Sequence, residues 1–156
     1  MRKVDFRPYK REWFYYIDHK GLLFLEETEP KNFTSCLKDA NFLDFFFDSF
    51  QINNTGTFKE YKYISPCWQE ANFVRCHSFP IVFRMINRVE NEWRLPYAGT
   101  KHVLFDPAKL HLSEQGLLLH EVTFGAIEKS YAAFDTDLAI WLGDQLIDKG
   151  DGEFGL

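Results

Sequence analysis

Glu12-Trp13-Phe14-Tyr15-Tyr16-Ile17-Asp18-His19-Lys20-Gly21-Leu22-Leu23-Phe24-Leu25-Glu26 decides how this chain folds. Trp13–Ile17 is aromatic and β-branched, and Leu22–Leu25 answers it. Between them Asp18-His19-Lys20-Gly21 is turn chemistry, with Gly21 free to take a positive φ. The pattern predicts a β-hairpin. Both arms are nearly continuous in apolar residues rather than alternating, which predicts cover on both faces.

Downstream, Thr28-Glu29-Pro30 breaks the pattern, and Asp39 can cap a helix by accepting from its first free N–H groups. Phe42, Leu43, Phe46, Phe47 and Phe50 recur at i, i+1, i+4, i+5 and i+8, one apolar stripe of a helix over residues 39–51. Phe45 and Ile52 fall on a second, weaker side. That side reads either as contact with another segment of the chain or as a homodimer contact through Phe45 and Ile52.

Strands follow at Thr57–Ile64, with Tyr61 and Tyr63 on one face, and at Asn72–Cys76, with Ser65-Pro66 as the turn between them. Pro80 opens a run Ile81–Val89 in which Ile81, Phe83, Met85 and Val89 share a face. Asn91-Glu92 turns it into Trp93–Ala98, and Lys101–Phe105 continues the meander. Asp106-Pro107-Ala108-Lys109 reads as one turn, then Leu117–Val122 as a strand. Residues 127–142 fit two periods. Ile127, Tyr131, Phe134, Leu138 and Trp141 make a helix stripe; Ala132, Phe134, Leu138, Ile140 and Leu142 make a strand face, with Gly143-Asp144 as a hairpin turn.

The fold class is therefore α+β, dominated by antiparallel sheet with one main helix. The best seam is His77-Ser78-Phe79-Pro80. It divides a hairpin–helix–strand lobe, 1–78, from a β-meander lobe, 79–156, unless the two form one compact unit.

Composition removes several function classes. The 156 residues carry a net charge of −5, with 17 Phe, 7 Tyr and 4 Trp. Nucleic-acid binders concentrate basic charge, so DNA and RNA are poor partners for an acidic chain. No apolar run reaches the length of a membrane span. The basic residues Arg2, Lys3, Arg7, Lys10 and Arg11 read as a solvated tail rather than a targeting segment, and Lys149–Leu156 as a loose end. An odd set of cysteines, Cys36, Cys67 and Cys76, suits free thiols in a reducing, intracellular compartment.

Candidate chemistry gathers in Ser65-Pro66-Cys67-Trp68-Gln69-Glu70-Ala71-Asn72-Phe73-Val74-Arg75-Cys76. A catalytic cysteine needs a lowered pKa and a base in reach. Cys67 is the best placed, with His19 as its candidate base; a small core thiol is the bland alternative. Glu70 and Arg75 read as an ion pair, with Asn72 bonding the backbone. Alternatively Asp18, His19, Glu70, Asn72 and Arg75 hold a ligand, Arg75 acting as a clamp for a carboxylate or phosphate. Trp13, Tyr15, Tyr61, Tyr63 and Trp68 would then be its aromatic walls. Closely spaced metal-ligand pairs are absent, as are the P-loop, the dinucleotide fingerprint and the nucleophile elbow, so no metal or cofactor is expected.

The hairpin, Lys31-Asn32-Phe33, Lys38-Asp39, the Ser65–Cys76 block and Pro80-Ile81-Val82-Phe83 together resemble an uncharacterised protein family, family 0598, in order from about Glu12 to Phe83. The resemblance implies a mitochondrial setting for animal members and supplies no catalytic residues. A fainter similarity to a bacterial family of unknown function, with two small β-rich lobes, implies a final strand Ser130–Leu138. It also implies a second lobe similar to pleckstrin-homology-type half-barrels. The function expected is a non-enzymatic module binding a small molecule or protein between the lobes, with a thiol-dependent enzyme or redox protein using Cys67 as the alternative.

Overall fold

The computed structural model describes residues 11–148; the basic residues before Arg11 and the tail from Lys149 lie outside them. The hairpin forms as the sequence predicts: β1 (Arg11–Ile17) pairs antiparallel with β2 (Leu23–Leu25). Asp18 Oδ1 accepts from the N–H groups of Lys20 and Leu22, and Gly21 turns the chain at φ +79°. The sequence pattern does not reveal the other neighbour of β1. β5 (Glu70–Cys76) runs parallel to it along its whole length, from Arg11↔Glu70 to Ile17↔Cys76. With β4 (Tyr63–Cys67) and the short β3 (Gln51–Ile52), the first sheet reads β2-β1-β5-β4-β3.

Helix α1 (Ala40–Asp48) begins at Asp39, whose side chain accepts from Phe42 N–H, as predicted. Phe46 and Phe47 face the core, and Phe50 follows just beyond the helix at 0% exposure. The helix stops at Asp48, not residue 51. Ile52 therefore belongs to β3, and Phe45 and Ile52, both 49% exposed, do not share a helical face. Carbonyls at the helix end lack intrahelical donors. Here Phe45 and Phe47 carbonyls accept from Ser49 and Phe50 N–H, and Phe46 C=O accepts from the buried Ser65 hydroxyl at 2.6 Å.

Three strand expectations change. Residues 57–62 are a loop, because Asn53 Nδ2 gathers the carbonyls of Thr57, Phe58 and Tyr61 around itself. Tyr61 consequently packs with Phe14 and Phe73 on one side of the sheet, whereas Tyr63 packs on Phe50 on the other. Ser65-Pro66 is not the turn but lies inside β4, and the chain reverses at Trp68-Gln69. Proline is tolerated there because its nitrogen faces the β3 side, where β3 has already ended at Gln51↔Ile64. Residues 81–89 are not one strand: β6 (Val82–Phe83) and β7 (Asn87–Val89) belong to different sheets. Ile81 and Phe83 are buried while Met85 and Val89 are exposed.

β7, β8 (Glu92–Tyr97) and β9 (Lys101–Leu104) make an antiparallel sheet in sequence order. A 3-10 turn, Pro107–Lys109, capped by Asp106, leads into β10 (Leu110–Leu112). β11 (Leu118–Phe124), β12 (Ile127–Phe134) and β6 complete a sheet ordered β10-β11-β12-β6, with β6 parallel to β12. The ambiguous stretch divides: strand to Phe134, then helix α2 (Thr136–Asp148). Asp135 is the joint. Its N–H bonds to Phe83 C=O, and its own carbonyl accepts from Ala139 N–H, the first bond of the helix. Each periodicity was thus half of the answer. Ala132 and Phe134 are buried from the strand, Leu138 and Leu142 from the helix, and Ile140 and Trp141 are exposed. Gly143-Asp144 lies within α2 and is no hairpin turn.

The fold is α+β, mostly antiparallel strands with two helices. One main core draws on Tyr15, Ile17, Phe46, Phe47, Phe50 and Val74 from before the seam and on Ile81, Phe83, Leu95, Phe124 and Leu142 from after it. A smaller cluster, Tyr61, Ile64, Ala71 and Phe73 with Phe14, lies on the other face of the first sheet. On β11, in the β10-β11-β12-β6 sheet, His120 is fully buried among the rings of Phe83, Phe105 and Phe134. Its Nε2 accepts from Asp106 N–H while Nδ1 donates to Glu121 C=O, and burial holds the imidazole below its ordinary pKa, hence neutral.

Candidate functional site

The parallel register of β1 and β5 decides what the chemically rich block can do. Cys67 pairs with Glu70 at the end level with Arg11, while His19 follows Ile17 at the end level with Cys76. Six residue steps at about 3.3 Å each put those ends about 20 Å apart. His19 is therefore not a base for Cys67; its ring instead meets that of His77, with centroids 5.9 Å apart. Burial and the Glu70 carboxylate both push the Cys67 thiol up from its ordinary value, the opposite of an activated nucleophile. Burial pushes Cys76 further, to about 12. Among the described residues all three cysteines are free, and no cluster of His, Cys, Asp or Glu is arranged to hold a metal ion.

Glu70 and Arg75 do not pair. They are five residues apart on one strand, and an odd separation sends side chains to opposite faces. Glu70 meets Arg11 at 3.0 Å. Arg75 grips Glu26 with two nitrogens, Nε to Oε1 and Nη2 to Oε2, the latter at 2.9 Å, and lies 4.3 Å above the Tyr16 ring. Tyr61 donates its hydroxyl to the same carboxylate, and Lys31 stands 4.0 Å away. Burial alone would raise the Glu26 carboxyl; the bonds from Arg75 and Tyr61 and the charges of Arg75 and Lys31 hold it below its usual range. Arg75 is thus committed to a structural partner. Asn72, 4% exposed, donates to Ser65 C=O at 3.0 Å, and its Oδ1 has no partner. Asp18 is occupied by its own turn. Trp68 is 93% exposed at φ +55°, a strained conformation for a bulky residue.

The concave surface lies elsewhere. A groove of about 450 Å³ opens where the hairpin turn and α1 meet the segments around β6 and the β8–β9 turn. Leu22, Leu23, Leu43, Phe47 and Ile81 give its apolar wall, and Arg84 and the exposed Met85 also line it. Arg84 forms no ion pair among the described residues.

Both ends of this groove are fixed by close backbone approach. A Cβ on Gly21 would stand 3.0 Å from Val82 Cβ, and one on Gly99 would stand 2.2 Å from Ala40 O, closer than atoms can pack. Asp44 completes the second clamp. Its Oδ1 accepts from Gly99 and Thr100 N–H at 2.9 Å each, and its Oδ2 from the Thr100 hydroxyl at 2.6 Å. Those bonds, led by the Thr100 hydroxyl, hold its carboxyl below the ordinary value. Beside it Lys101 pairs with Asp48 at 2.6 Å. None of these residues carries a motif. The readable signal was a single short-range one, Ala98-Gly99-Thr100 as a tight β-turn.

No helix among the described residues is long and apolar enough to cross a membrane. The chain is similar in fold to a crystal structure of a DUF1285 family protein from Silicibacter pomeroyi DSS-3. The TM-score is 0.53 at 10% identity, covering 88% of this chain and 72% of that one. A family model, "Domain of unknown function (DUF4505)", matches residues 4–146. That match spans hairpin, α1, seam and both later sheets alike, and the chain belongs to the DUF4505 family of unknown function.

Proposed function

We propose that this protein is a non-enzymatic binding module whose ligand sits in the groove between Leu22, Leu43 and Ile81. One observation carries the reading: an apolar recess of about 450 Å³ that also presents a cation, Arg84, with no ion-pair partner among the described residues. Small-molecule sites are typically about 300–1,000 Å³, mostly apolar, with a few placed polar groups that orient the ligand. The matching ligand is an apolar molecule with a carboxylate or comparable anionic head, the head meeting the guanidinium fork. Among the described residues the groove's lining includes no cysteine, histidine, aspartate or glutamate, and burial pushes the Tyr97 phenol above its ordinary pKa, so the lining offers binding contacts rather than an activated nucleophile or base at neutral pH. Three free thiols fit an intracellular, reducing setting, in the cytoplasm or in mitochondria.

The test is a titration with 1-anilinonaphthalene-8-sulfonate, an apolar probe with one anionic group. Saturable binding is expected. Leu43→Trp, which fills the recess, should abolish it, and Arg84→Ala should weaken it about tenfold, the scale of a charge-assisted hydrogen bond. Unchanged binding in a folded Leu43→Trp variant, checked by circular dichroism, places the probe elsewhere and sinks the reading.

A further inference from the structure

A second cavity, of about 410 Å³, lies at the other end of the hairpin and is independent of the seam groove. Its walls include three aromatic residues, Trp13, Phe14 and Tyr61, and three glutamates, Glu12, Glu26 and Glu27. Glu26 is neutralised by Arg75 and Lys31. Glu12 and Glu27 are exposed and form no ion pair among the described residues. The glutamates are not grouped as metal ligands. Carboxylates spread over an aromatic-walled recess match a larger organic cation, which gains from ring faces as well as from charge.

The backbone beside this cavity narrows the choice further. β1 outruns β2: register pairs begin at Tyr15↔Leu25, and the last bond between the two segments is Glu26 N–H to Phe14 C=O at 2.8 Å. Along a strand the N–H and C=O of alternate residues point to the same edge. Ile17 C=O bonds toward the β5 side, to His77 N–H, and Phe14 C=O toward the β2 side, so Glu12 presents its N–H and C=O on the β2 side. No described strand pairs with Glu12 on that side. An edge left unpaired by the described residues is a template for an added strand.

We infer that the exposed N-terminal edge of β1 receives an extended peptide segment that places a lysine or arginine side chain in the cavity lined by Trp13, Phe14, Tyr61, Glu12 and Glu27. Main-chain bonds to Glu12 set the peptide's direction, and the aromatic and acidic walls select the cationic side chain.

The experiment uses the full chain and a pentapeptide carrying fluorescein on its N-terminal amine, fluoresceinyl-Thr-Val-Lys-Val-Thr-amide, read by anisotropy, with amide chemical shifts locating the contact. Saturable binding is expected, with shifts at Glu12–Phe14 and Glu26–Glu27. Replacing the peptide lysine by norleucine, or the protein's Glu12→Gln with Glu27→Gln, should each weaken it at least about tenfold. Free n-butylamine should bind far more weakly. Equal affinity for the lysine and norleucine peptides, no shifts at the β1 edge, or no saturable binding overturns the proposal. n-Butylamine matching the peptide overturns the strand-addition part and leaves a small amine as the occupant. Because both substituted glutamates are exposed, the fold is expected to survive, and circular dichroism of the double variant checks it.

Discussion

The Ser65–Cys76 block and the seam groove are opposites. The block holds two thiols, an acid, two amides and a guanidinium within twelve residues, yet its thiols, acid and guanidinium are paired or held apart by the sheet that carries them. The groove is chemically plain, mostly apolar side chains with one arginine and one tyrosine, yet it is concave and its ends are pinned. Reactive residue types close in sequence say little about a site when a strand deals them alternately to two faces. Concavity comes from the meeting of segments that are far apart in the chain.

The sharpest test of this contrast is Gly99→Ala. The added Cβ would sit 2.2 Å from Ala40 O and 2.6 Å from Ala40 Cα, backbone atoms that cannot rotate aside. A loss of about 3 kcal/mol or more is expected from urea unfolding, at the upper end of overpacking costs. A loss below about 1 kcal/mol would mean the β8–β9 turn slides freely on α1 and the groove has no fixed end.

A smaller effect, of opposite sign, is expected in the block. Trp68 is 93% exposed and pays for a positive φ without packing return, so Trp68→Gly should raise stability by about 0.5–1 kcal/mol. An unfolding midpoint that falls instead would show that the indole holds something in the folded protein.

The smallest expected change concerns Cys67. Iodoacetamide should label it more slowly than free glutathione at neutral pH, because burial and Glu70 both raise its pKa. Glu70→Gln removes one of those two causes and should speed labelling about twofold to threefold, read by peptide mass spectrometry. Labelling faster than glutathione would break the comparison by restoring an activated thiol to the block.

What could be read from the sequence was local. Trp13–Leu25 closes on itself through a four-residue turn, and Asp39 with Phe42, Phe46 and Phe47 writes a capped helix in adjacent turns. The Lys101–Leu104 strand and the turn at Asp106 were legible for the same reason. What could not be read depended on distant neighbours. Pro66 looked like a turn because nothing local reveals that its nitrogen faces a side of β4 that β3 no longer covers. Residues 57–62 looked like a strand until Asn53 drew their carbonyls inward. The pairing of β1 with β5 set the distance between Cys67 and His19, and Glu26 claimed Arg75 from 49 residues away. The groove was illegible for the same reason, since Leu22, Leu43, Ile81 and Tyr97 share no motif.

The placement of Phe47 and Phe50 has a consequence for how the protein is made. Both rings pack on Phe124, and Phe50 C=O accepts from Ala126 N–H, so part of their cover comes from the β11–β12 hairpin. By the time Cys76 leaves the ribosome the first sheet has all its strands, but these aromatic rings still await residues some fifty positions later. A nascent chain stalled there presents an unfinished aromatic face to chaperones. Two separately expressed pieces divided at Ser78 should each be poorly soluble, and should regain solubility when co-expressed.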